Sequence, residues 1–128
     1  MVAVISIGDI DSIPPKFTYR PDHLLRLEFD DISLDEYYDH KTEKDRLFKY
    51  SQAQQIAEFV YKHKDEIDVL ICHCEYGQSR SAGCAAAIAE HFSKRGIEIF
   101  ADDRYCPNKL VFRKVLQALK EYKQNTNS

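Results

Sequence analysis

Residues 68–81 read DVLICHCEYGQSRS. The opening DVLICH is a short apolar run, the best candidate in the chain for a buried central strand. Gly77 breaks it, and residues 81–94 are rich in alanine, which predicts a helix closed by the Arg95-Gly96 pair. A loop between a strand and a helix start has backbone N–H groups without helical partners. The helix dipole adds partial positive charge there. Such a junction is a ready anion site, above all for phosphate.

Working outward, residues 2–7 are β-branched and apolar and end at Gly8-Asp9, a strand and a turn. Pro14-Pro15 forbids regular structure. In residues 24–29, Leu25, Leu27 and Phe29 alternate with Arg26, Glu28 and Asp30, a strand with one polar face near a sheet edge. Residues 32–45 are acidic and aromatic without a period, a loop with room for a helical turn. Over residues 46–64, Phe48, Ile56, Phe59, Val60 and His63 fit helical spacing. Residues 96–100 suit a short strand or extended linker, and residues 107–123 a final amphipathic helix carrying Leu110, Val111, Val115, Leu116 and Leu119. Residues 124–128 are polar, and fraying is expected there. Strands alternating with helices predict an α/β layered domain, and 128 residues suit a single domain, 1–128.

Net charge is -3, from 18 basic and 21 acidic side chains. That balance argues against general affinity for nucleic acid or an anionic membrane, and leaves one local anion pocket open. No apolar run is long enough to span a bilayer. The apolar start lacks a basic leader and reads as a strand, so a reducing, cytoplasmic compartment is expected for the four cysteines, 72, 74, 84 and 106.

Within HCEYGQSRS, residues 73–81, Cys74 opens the loop and Arg80 closes it. A planar guanidinium suits bidentate capture of phosphate oxygens. Positive surroundings depress a thiol pKa, so Cys74 is expected as a thiolate near neutral pH. Gly77 lets the backbone approach an anion, Ser81 is placed to donate to the thiolate, and His73 is a candidate for fixing the loop by hydrogen bonding. Alternation sends Cys72 and Cys74 to one side and His73 to the other, and histidines 23, 40, 63 and 91 lack ligand spacing, so no metal site is expected.

Cysteine, five residues, arginine and serine resemble the signature loop of cysteine-based protein tyrosine phosphatases. Gly77 and Ser79 fall where the dual-specificity branch has glycine and serine, three and five after the cysteine. LRLEFDDI, residues 25–32, and PNKLVF, residues 107–112, extend the likeness to a small phage- and bacteria-type branch over roughly residues 1–120. The resemblance implies a central, mostly parallel sheet flanked by helices. It implies a phosphomonoester hydrolase, of protein tyrosine or dual-specificity type, working through a phosphocysteine without metal or cofactor. Its substrates would be phosphorylated proteins or small phosphomonoesters. Glu75, Tyr76, Gly77, Gln78, Ser79 and Arg80 would hold the phosphate, and Asn108 would support the loop. Glu75, Tyr76 and Gln78 are not basic, which ranks nucleic-acid and phosphoinositide substrates low. The family pattern puts Asp31 on the general acid and expects it partly buried. Asp30 is one residue away, and strand alternation alone does not separate the two.

Two rival readings keep the loop: a phosphate-binding module without turnover, and a thiol oxidoreductase of the arsenate-reductase type needing partner cysteines. Cys72 and Cys84 read first as core fillers. A protective disulfide to Cys74 is the redox alternative, with Cys84 the better candidate.

Overall fold

A computed structural model describes residues 1–13, 16–17, 20–38, 46–74 and 78–126, with backbone alone at Asp35 and Tyr37. Its elements are strands β1 (Val2–Gly8) and β2 (His23–Glu28), helices α1 (Leu34–Tyr38) and α2 (Tyr50–His63), strand β3 (Val69–Cys74), and helices α3 (Arg80–Ser93), α4 (Gly96–Phe100) and α5 (Lys109–Thr126). The three strands form one parallel sheet in the order β2-β1-β3. The α/β expectation thus takes the form of a small parallel sheet with helices. No described helix is long and apolar enough to cross a membrane.

The middle position belongs to β1. Residues 3–7 are all buried, because this strand is paired on both sides and covered on both faces. The expectation of a central strand at residues 68–73 is therefore corrected. Strand β3 is an edge of the described sheet, and its Val69 is 50% exposed. An apolar run signals burial, but it does not reveal how many neighbours a strand has.

Ile5, Ile7, Leu25, Leu27, Leu70, Cys72 and Cys74 face one way, into a core shared with Ile56 and Val60 of α2, Cys84 and Ala87 of α3, and Val111, Val115 and Leu119 of α5. The opposite face carries Phe17, which packs edge-on against His73 and under the Arg26 guanidinium. Between the helices, Tyr61 stacks on Tyr122 at 4.8 Å and meets His91 Nε2 through its hydroxyl at 2.6 Å. Tyr50 donates to Glu121, joining α2 to α5, and burial together with that carboxylate pushes the phenol up to about 12.

The helices depart from the sequence reading for local reasons. Helix α2 starts at Tyr50, four residues later than residue 46, because Lys49 is its N-cap and Gln52 Oε1 accepts the Lys49 N–H. Phe48 is buried ahead of the helix. Helix α3 closes at Lys94, in the left-handed region at φ 58°, with the Lys94 and Arg95 N–H groups bonded to Glu90 and Ala89 carbonyls. Gly96 serves a different purpose: a Cβ there would lie 2.8 Å from the Ala86 carbonyl oxygen. Residues 96–100 form the helix α4 rather than a strand, and α5 continues to Thr126, whose hydroxyl donates to the Tyr122 carbonyl.

Gly83 marks where α3 meets the start of α5. A Cβ there would sit 2.5 Å from the Asn108 carbonyl oxygen and 3.3 Å from Val111 Cβ. Gly83→Ala is expected to lose about 1–3 kcal/mol in urea unfolding, the overpacking outweighing alanine's better helix propensity.

Burial, then the nearby Lys123, Lys94 and Lys120, push the His91 imidazole below its ordinary value. The unfolded chain therefore takes up the proton first, and stability present above about pH 6.5 declines as the pH falls below it. His91→Asn is expected to reduce the loss in urea midpoint between about pH 7 and pH 5. His63 is also pushed down, by burial and by His23, so the slope shrinks without vanishing.

Candidate active site at the carboxyl ends of the strands

In an open parallel sheet, ligands bind beyond the carboxyl ends of the strands. Here β1 ends at Gly8 and leads into Asp9, β2 leads into Phe29, Asp30 and Asp31, and β3 ends at Cys74. Helix α3 begins opposite these ends with Arg80.

Arg80 is 2% exposed. Its Nη1 donates to Asp9 Oδ1 at 2.7 Å and to the Phe29 carbonyl oxygen at 2.8 Å. Its Nε is buried with no hydrogen-bond partner among the described residues. Burying a guanidinium costs several kcal/mol unless its donors are met. Asp9, with a side chain 40% exposed, meets the charge only in part. Nη1 supplies two of the five guanidinium N–H donors, and the buried Nε–H is an unmet demand for an acceptor.

Cys74 is 3% exposed. The Ser81 N–H donates to its Sγ at 3.4 Å, and Ser81 Oγ lies 3.1 Å from the same sulfur. A first-turn amide and a hydroxyl thus converge on one sulfur. Ser79 is the N-cap of α3 yet makes no side-chain cap bond. Its hydroxyl donates instead to Asp31 Oδ1 at 2.8 Å. The Ser79 carbonyl accepts from Gly83 and Asn108, and the Gln78 carbonyl from Cys106 at 2.7 Å, so the segment before α5 braces the loop's end.

Asn108 supplies the rest of that brace. Its Nδ2 donates to Asp31 Oδ1 at 2.8 Å and to the Ile32 carbonyl at 2.9 Å, while its Oδ1 accepts the Val111 N–H. The two neighbouring aspartates have different partners. Asp31 turns to Ser79 and Asn108, while Asp30 is ion-paired with Arg46 and accepts the Ile10 N–H at 3.3 Å. Asp31 is exposed, so the burial expected of it is absent; it lies in the open segment between β2 and α1. Beside it runs a cleft of about 390 Å³ lined by Asp31, Ser33, Glu36, Ser79, Asn108 and Lys109. Cys74 does not line that cleft.

Glu75, Tyr76 and Gly77 lie outside the described residues. The hydrogen-bonding role expected of His73 is not realised at its Nδ1, which is buried without a partner; the ring packs at 6.3 Å from Phe17. Cys84 has a second cysteine beside it. Cys84 Sγ lies 3.8 Å from Cys72 Sγ, and that contact and burial push the Cys84 thiol well up. None of the four cysteines is in a disulfide. Sequence reasoning missed Asp9. Its only signal is position, directly after the strand that proves to be central.

No protein-family model matches the chain, and a search of curated proteins gives no match.

The Arg80 pairing has a measurable consequence. Asp9→Asn keeps the side-chain shape but removes the charge facing a buried guanidinium. It is expected to lower stability by about 1–2 kcal/mol, reduced from the value for a buried pair because Asp9 is partly exposed. Inorganic phosphate is expected to raise the unfolding midpoint of the variant and wild type alike, as a ligand of the native state alone.

Proposed function

We propose that the chain is a cysteine-dependent phosphomonoester hydrolase of the protein tyrosine or dual-specificity type. The observation that carries this reading is the unpartnered Nε of buried Arg80, at the helix start where Ser81 hydrogen-bonds the Cys74 sulfur. A tetrahedral dianion beside that sulfur would satisfy the free donor and complete the guanidinium's charge balance.

In the proposed reaction, the Cys74 thiolate attacks phosphorus in line as the bond to the leaving oxygen breaks. Asp31 gives that oxygen its proton, so an alcohol or phenol departs and phosphocysteine remains. Both bonds to Asp31 converge on Oδ1, which leaves Oδ2 to carry the proton. Water, deprotonated by Asp31, then displaces the sulfur and releases phosphate. Arg80 holds the equatorial oxygens through both steps, and Ser81 steadies the sulfur as it leaves. Asp9 and the Phe29 carbonyl fix the guanidinium, and Asn108 and Ser79 fix Asp31, as positioning groups. Residues 75–79 would line the oxyanion's seat. Four cysteines outside any disulfide fit a reducing, cytoplasmic setting. Phosphorylated proteins or small phosphomonoesters are the substrates proposed.

Para-nitrophenyl phosphate at about pH 5 to 7 in the presence of a chelator tests the reading. Wild type is expected to hydrolyse it, Cys74→Ser to lose all turnover, and Asp31→Asn to lose about 10²- to 10⁴-fold in kcat on substrates with poor leaving groups. Asp30→Asn is expected to retain most of the rate. Phosphate binding by wild type without hydrolysis would replace this reading with that of a binding module.

A further inference from the structure

At the other end of the sheet, three side chains that carry ligand chemistry converge. His23 opens β2, His63 ends α2, and Glu66 lies three residues beyond His63. One ligand atom from each lies within 4.8 Å of the others. His23 Nε2 is 3.2 Å from Glu66 Oε2, and His63 Nδ1 is 4.0 Å from the same oxygen. Tetrahedral bonds of about 2.0–2.1 Å put ligand atoms roughly 3.3 Å apart, close to the spacing of these atoms. His63 Nδ1 is buried and has no hydrogen-bond partner among the described residues. That nitrogen is the independent sign that something is missing, since buried polar atoms are ordinarily satisfied.

We propose that His23, His63 and Glu66 bind a divalent transition-metal ion of the zinc class, clamping the start of β2 to the end of α2. Two imidazoles and one carboxylate suit zinc, cobalt or nickel rather than magnesium or calcium, which prefer oxygen alone. Burial and the neighbouring His23 favour neutral His63, the form that coordinates. The two rings are stacked at 3.7 Å with 19° between planes, so they tilt before both can reach one ion. Binding tilts the rings apart until they meet at one point. The side chains of His23 and Glu66 are 22% and 52% exposed, which gives room for that tilt and for water in the fourth position. Phe59 packs edge-on against His63 at 5.0 Å and backs the site with an apolar wall.

The site is separate from the Cys74 loop. In the register, His23 pairs with Ala3 and Cys74 with Ile7, placing the two roughly 13 Å apart along the strands. The ion's expected effect is therefore on stability. Linear spacing hides the site because the two histidines are 40 positions apart.

The test is titration of Co²⁺ and Zn²⁺ into the metal-free full-length chain at neutral pH, read by the cobalt spectrum and by thermal unfolding. The expected result is one equivalent bound with cobalt bands that lack sulfur-to-metal charge transfer. The midpoint should rise by roughly 5–10 °C at a hundredfold excess over Kd. Glu66→Gln and His23→Gln, both at accessible side chains, should each weaken binding about tenfold or more. Absence of binding, unchanged affinity in both variants, or binding seen only through a thiolate band that Cys106→Ser removes would overturn the proposal.

Discussion

The buried guanidinium of Arg80 is the constraint around which the candidate site is arranged. A cation that is 2% exposed persists only where acceptors are fixed around it, and the sheet supplies them from two strand ends, Asp9 after β1 and the Phe29 carbonyl after β2. Those acceptors engage one nitrogen. The unmet Nε–H points the chemistry toward an anion, and the sulfur of Cys74, bonded by the Ser81 N–H, lies at the same helix start. Stability and anion affinity therefore draw on the same group.

The brace from α5 works by backbone as much as by side chain. Asn108 donates its N–H to the Ser79 carbonyl, its amide to Asp31 and Ile32, and accepts from Val111. Gly83 permits this, because any side chain there would collide with the Asn108 carbonyl. One close approach between α3 and α5 thus positions the loop end, the N-cap serine and the carboxylate beside the cleft. Ser79, relieved of capping, gives its hydroxyl to Asp31, and the first-turn amide of Ser81 is free to face sulfur.

What the sequence made legible follows the reach of each signal. The apolar runs of β1 and α5 and the alanine-rich α3 were readable because their periodicity is local. The strand–loop–helix junction at Cys74 and Arg80 was readable for the same reason. The rank of strands within the sheet was not, since an apolar run such as VLI at residues 69–71 looks the same at an edge as in the middle. Residues 96–100, GIEIF, are β-branched enough to suggest a strand, yet close packing of Gly96 on Ala86 and Glu90 sets a helical turn there. Asp9, the partner of Cys84 and the meeting of His23 with His63 are tertiary facts with no sequence-local trace. Asp30 and Asp31 were indistinguishable by alternation, and only their partners, Arg46 against Ser79 and Asn108, set them apart.

The most direct measurement is the nitrogen-15 resonance of the Arg80 Nε–H group during titration with tungstate, a non-reacting tetrahedral oxyanion. The account predicts a large downfield proton shift and slowed solvent exchange at that one group, saturating at one equivalent and absent in Arg80→Lys. An Nε–H signal that stays in place while tungstate binds elsewhere would contradict it.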